Sequence, residues 1–303
     1  MWTLAAVLSS QFQFLRGELY TEARQSLDAL EMENQDMCIE RVQAWLLLSL
    51  YEFMSDFYQR GLVSVGRALR LVQLMRLHEL DKLPMTGSHG DLIDIESSRR
   101  TFWLAYTIDR FTSAQENLPL TISEKHIRTR LPAPQSHFTS GRTATMCFLN
   151  EVIDGMESEQ PSTNANDFAM CPFTQSIVVA TICGRTLSLR QRLLASQQDY
   201  QGLLPELTLR HWTLSAFLTA RIKILSIQIT SSSEHPDALL LFSTLAAYMI
   251  LFMLYETVET TPQGIDEART LLLGNEQRSL EAARELETLV GVLTHVNHFQ
   301  MKP

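Results

Sequence analysis

Two histidines three residues apart, His295 and His298 in "THVNHF", could offer two imidazoles from one helix to a metal ion. No cysteine follows, and the neighbouring carboxylates all precede Val290, so the pair reads as surface histidines near the C-terminus. His78-Glu79 imitates the first half of a zinc-binding His-Glu-x-x-His motif, but Lys82 stands where the second histidine belongs. His78 is instead expected in the last turn of its helix, where a cation suits the dipole. Asp154, Glu157 and Glu159 form a carboxylate group in or beside a loop and read as a solvated edge. "GLVSVGRA" at 61–68 starts like a phosphate-binding loop, yet Arg67-Ala68 replace Lys and Ser/Thr, and the segment lies inside a helical pattern. Neither a Gly-x-Ser-x-Gly nor a Gly-x-Gly-x-x-Gly motif occurs. The residue types for hydrolysis, phosphate binding or metal chemistry are thus present without the spacing those chemistries require, and no catalytic or metal-binding residue is assigned.

The stretch "ESSRRTFWLAYTIDRFTS", 96–113, concentrates charge and aromatic bulk. At 100° per residue, Arg99, Trp103, Tyr106 and Arg110 share one narrow stripe, with Glu96 beside it and Phe102 and Asp109 flanking it. Leu104, Ile108 and Phe111 lie opposite. Both faces are bulky and largely apolar, which predicts a helix buried on more than one side. Charges in such a helix must be paired. Glu96 can reach Arg99 and Arg100 at i+3 and i+4. Asp109 has no basic residue at either spacing, so its partner must come from another helix or from a backbone amine. These residues are expected to hold structure rather than to catalyse.

The elements that must position them are helical throughout. Apolar residues recur at helical spacing over 17–31 (Leu19, Ala23, Leu27, Leu30), 39–56 (Ile39, Val42, Leu46, Leu50, Phe53) and 61–77 (Leu62, Val65, Leu69, Val72). Further helices are expected over about 92–115, 173–199, 205–231, 236–259 and 276–297. "MWTLAAVLSS" has no basic flank and continues into Phe12, Leu15 and Leu19, so it reads as a helix starting at Met1 rather than a signal sequence. Pro119, Pro132 and Pro134 break the segment after the central helix, where Thr121 or Ser123 can cap one short helix. A polar loop is expected over 157–172. "ALLLFSTLAAYMILFMLY", 238–255, approaches the length of a membrane span, but Asp237 and Glu256 flank it and no Lys or Arg stands between Lys223 and Arg269. It is expected to be a buried central helix, with no membrane partner. The class is all-α, one large multi-helix domain over 1–303.

Composition narrows the functions further. The 303 residues carry a formal net charge of −9, and the longest basic run is the Arg99-Arg100 pair. Direct contact with DNA phosphates is therefore not expected of this chain. Arg185, Arg190 and Arg192 read as a solvated helix face. The four cysteines, Cys38, Cys147, Cys171 and Cys183, are too scattered for a disulfide framework or a zinc site and read as reduced thiols.

The order of segments carries more information than any one of them. "ELYTEARQSLDALE", "ERVQAWLLLSLYEF", "QRGLVSVGRALRLVQLMRLHELD", "ESSRRTFWLAYTIDRFTS" and "NLPLTISEKHIRTRLP" follow one another over 18–132. In that order they resemble the fungal-specific transcription factor domain, the regulatory middle region of fungal zinc-cluster transcription factors. The features that carry the resemblance include Glu96, Arg99, Arg100, Phe102, Trp103 and Asp109-Arg110, then Pro119-Leu120-x-Ile122 and the Leu131-Pro132 stop. The resemblance implies a nuclear transcription regulator, often of a metabolic or secondary-metabolite gene cluster. It would work by helix packing with other transcription factors or coregulators, and a small-molecule effector is compatible with it. Family members usually carry an N-terminal six-cysteine zinc cluster that reads DNA. Nothing in these residues resembles that cluster, so the chain reads as a truncated or divergent member, with no cofactor of its own and zinc expected only for the cluster. The alternative is a helical small-molecule-sensing or protein-interaction module with no direct transcription role.

Overall fold

In the computed structural model, residues 1–32, 37–82, 89–140, 144, 146–157, 171–195, 200–231, 237–259 and 266–293 are described. Among them, α-helices account for the regular structure, with three short 3-10 turns and no strand. His295, His298 and Glu159, and all but the ends of the expected 157–172 loop, lie outside the described residues. The chain divides into two compact units. One comprises Met1–Thr112 with Leu120–Leu149, the other Ser113–Pro119 with Asn150–Pro303.

In the first unit, α1 (Trp2–Leu8) ends earlier than its apolar spacing predicts. Ser9 adopts an extended backbone, and a 3-10 turn at Gln13–Leu15 intervenes before α2 (Arg16–Met32). Paired serines compete for backbone hydrogen bonds and are poor helix formers. Leu8 and Phe14 are left exposed. α3 (Ile39–Met54) and α4 (Tyr58–Leu74) pack on each other across a tight turn. Asp56 supplies the left-handed residue, and the Phe57 amide donates back to the Glu52 carbonyl, closing the end of α3. Gly61 permits the close approach, since a Cβ there would stand 2.5 Å from the Phe53 ring. The phosphate-loop imitation at 61–68 is thus a helix face.

α4 stops at Leu74, not 77, because Arg76 turns left-handed (φ 55°). His78 therefore lies in a separate 3-10 turn, Leu77–Glu79, and not in the last turn of α4. Burial also pulls its pKa below the ordinary value, the opposite of the shift a helix C-terminus would give. α5 (His89–Glu116) follows, ending at left-handed Asn117. Beyond Leu120 the chain is extended apart from a 3-10 turn at Glu124–His126, whose preceding Ser123 makes no side-chain cap. One short helix, α6 (Gln135–Thr139), comes next, and α7 (Leu149–Glu157) belongs after its first residue to the second unit.

Besides α7, the second unit has four long helices among the described residues, α8 (Pro172–Ala195), α9 (Tyr200–Ser231), α10 (Ala238–Glu259) and α11 (Asp266–Leu293). α10 packs against the other three. Pro172 opens α8 at a position that needs no amide hydrogen. Asp237, which the sequence marks only as a charged flank, accepts hydrogen bonds from the Leu239 and Leu240 amides (2.8 and 3.1 Å) and caps α10. By length and composition, Ala238–Thr257 could cross a membrane, yet most of its circumference is covered by protein. Its buried hydroxyls bond within the unit: Ser243 and Thr244 to the preceding turn, Tyr248 to Glu285. Phe242, Leu245 and Met249 form one exposed side, so the helix is partly rather than wholly buried. α9 starts five residues before Pro205, where the expected helix began.

His211 on α9 is 3% exposed and faces Asn275, Trp212 and Tyr255. Burial pushes its pKa down to about 4, the nearby Leu254 backbone offsets part of this, and Arg278 adds to it. An unfolded histidine takes its proton near pH 6.5, so stability from this site is full above about pH 6.5 and is lost as pH falls toward 4. Urea unfolding should show a loss of about 3 kcal/mol across that window, and His211→Gln should remove most of that slope.

Candidate functional site

The signature residues of α5 converge on the backbone of the segment 121–133, all within the first unit. Phe102, Trp103, Ala105 and Tyr106 are fully buried, as the two-faced pattern predicts. Asp109 and Arg110 are each 1% exposed. Asp109 accepts hydrogen bonds from the Thr121 and Ile122 amides, both at 3.2 Å, which is the backbone partner expected for it. It also pairs with its own neighbour Arg110 at 2.6 Å, a contact that i+3 and i+4 spacing rules overlook. Arg110 lies over the Tyr106 ring (4.1 Å) and donates to the Ile122 carbonyl (2.6 Å).

The same arrangement repeats about two to four turns earlier. Trp103 donates its indole N–H to the Arg130 carbonyl (2.7 Å). Glu96 pairs with both Arg99 and Arg100, as the spacing predicts, and accepts the Ala133 amide (2.8 Å). Arg100 donates to the Ala133 carbonyl (2.8 Å). Arg99 reaches the segment indirectly. It pairs with Asp81 (2.7 Å), and Asp81 accepts the Arg130 amide (2.8 Å). Burial lowers the Arg99 pKa, but the hydrogen bonds and charges of Asp81 and Glu96 outweigh this and hold it above its ordinary value. Each of the six residues Glu96, Arg99, Arg100, Trp103, Asp109 and Arg110 thus secures one extended segment, directly or through one partner.

Pro119, Pro132 and Pro134 keep that segment out of a helix, and an extended strand alone would bury unpaired amides and carbonyls. The polar side chains of α5 replace the missing ladder. Their donors and acceptors are used inside the protein, an arrangement suited to fixing a chain rather than to moving protons or touching phosphate.

Another buried carboxylate, Glu52, escaped sequence reasoning. Glu52 on α3 is wholly buried and accepts from Tyr20 (2.8 Å), Arg24 (2.5 Å) and Ser64 (2.5 Å), joining α2, α3 and α4. The signal was available: Glu52 falls on the same face as Val42, Trp45 and Ser49, and an acid on an apolar face requires partners. Elsewhere, Asp154 is exposed on α7, and no cluster of three metal-ligating side chains occurs among the described residues. The four cysteines are free thiols. Arg190 and Arg192 pair with Glu256 and Glu206, a partly solvated face.

Asp109→Ala takes the carboxylate partner from the buried Arg110 and frees the amides of Thr121 and buried Ile122, and should cost about 3–5 kcal/mol in urea unfolding. Hydrogen exchange at Thr121 and Ile122 should accelerate more than at Ala133. Equal acceleration at all three would mean the clamp does not act locally.

A family model for the fungal specific transcription factor domain matches residues 5–202. The chain is 40% identical to a pigment biosynthesis transcriptional activator of Monascus ruber, over 100% of this chain and 54% of that protein. It is 36% identical to a citrinin biosynthesis transcriptional activator of Monascus purpureus, over 100% and 51%. An azaphilone cluster-specific transcription factor of Aspergillus niger is 36% identical, over 98% and 63%. The chain therefore spans about half the length of the curated relatives it matches. No solved structure matches it. With the clamp residues lying inside the matched range, the chain belongs to the fungal specific transcription factor domain family.

Proposed function

We propose that this chain is the regulatory part of a nuclear transcription regulator serving a secondary-metabolite gene cluster. The observation that carries the reading is similarity along the whole chain to proteins named as biosynthetic activators. The role needs no covalent step and no metal in these residues. It is exercised through contacts with other transcription factors or coregulators, while DNA is read by a segment or partner outside these 303 residues.

The electrostatics support that division of labour. A net charge of −9 repels phosphate, and the arginines of α5 are already bonded to carboxylates and carbonyls inside the protein. Moving them to DNA would break buried pairs.

The purified chain should give no sequence-specific mobility shift at physiological salt. Fused to a heterologous DNA-binding domain in a fungal host, it should change expression of a matching reporter severalfold. A zinc-dependent specific shift by the chain alone would refute the division of labour. An unchanged reporter with folded, nuclear fusion protein would refute the regulatory role.

A further inference from the structure

A cleft of 380 Å³ opens between α2 and the first turn of α4, lined by Tyr20, Thr21, Arg24, Gln25 and Arg60. That size falls in the range of small-molecule sites. Its chemistry is uneven in a specific way. Arg24 commits NH1 to Glu52 and Ser64, and its guanidinium lies 5.4 Å from the Trp45 ring. Its NH2 has no hydrogen bond among the described residues. Arg60 is exposed, lies over Phe57 (5.3 Å) and touches the Tyr20 hydroxyl, and no carboxylate pairs with it among the described residues. Thr21 turns its hydroxyl to the Gly17 carbonyl.

Two guanidiniums therefore face the cleft. Arg24 is paired with Glu52 and stands 3.7 Å from Asp28, which Arg67 shares, whereas Arg60 has no carboxylate partner among the described residues, leaving about one positive charge at the cleft. A monoanion fits that balance better than a phosphate dianion, and the planar fork of arginine matches a carboxylate. Tyr20, the aromatic residue of the lining, is itself fixed by stacking on Tyr51 (5.0 Å) and Phe57 (5.9 Å). We propose that the cleft formed by Tyr20, Arg24, Gln25 and Arg60 binds a small organic monocarboxylate between the two arginines. Through Arg24 the ligand meets Glu52, the residue that ties α2, α3 and α4 together, so occupancy is transmitted to that junction.

Binding here is independent of the transcriptional role: a silent reporter leaves it standing, and absent binding leaves the reporter reading intact. The test is isothermal titration calorimetry of the full chain with sodium acetate, sodium benzoate and inorganic phosphate at fixed ionic strength. At least one carboxylate should bind saturably, one per chain, and more tightly than phosphate. Arg60→Gln should weaken it about tenfold or more with an unchanged melting temperature. Arg76→Gln, on an arginine whose side chain is 76% exposed and which does not line the cleft, should leave it unchanged. No saturable carboxylate binding, phosphate bound as tightly, or equal weakening by both substitutions overturns the proposal.

Discussion

The extended segment after α5 must cross a helical unit without a helix or sheet to satisfy its backbone, and the first unit depends on how that is met. Each buried amide or carbonyl left open costs about 1–3 kcal/mol, and the segment places several side by side. α5 meets them with Asp109, Arg110, Trp103, Glu96 and Arg100, and with Arg99 through Asp81. The charges in turn tolerate burial only because the segment supplies their partners. Helix and segment are thus mutually required, and neither has a stable buried form alone.

Glu52 applies the same logic at a second place. A carboxylate with no exposure draws a tyrosine, an arginine and a serine from two other helices, fixing where α2 and α4 sit on α3. In the second unit the work passes to apolar packing around α10, with hydroxyls bonded to their own helix. The units differ because α10 has almost no charge to pair, whereas α3 and α5 carry theirs into the interior.

Much of this was legible from residue order. The two-faced pattern of 96–113 announced a buried helix, and Glu96 beside Arg99 and Arg100 announced its pairs. Helix ends were less legible. Leu8, Phe12, Leu15 and Leu19 keep helical spacing across a break that paired serines impose, because periodicity records faces and not continuity. His78 lies outside the helix end where its spacing put it, since the left-handed Arg76 stops α4 and burial in the following turn lowers its pKa.

Sequence by itself determined the helical class, the burial of α5 and the family, because amphipathic period, paired charges and segment order are local or linear properties. It also determined that Asp109 needed a backbone or distant partner. Only the tertiary structure decided that the partners are the amides of Thr121 and Ile122, that Arg110 shares the pair, and that Glu52 joins three helices. It alone decided that Arg24 and Arg60, 36 positions apart, face one cleft. A buried charge states in sequence that it must be answered. Which group answers depends on how distant segments pack, and no local spacing encodes that.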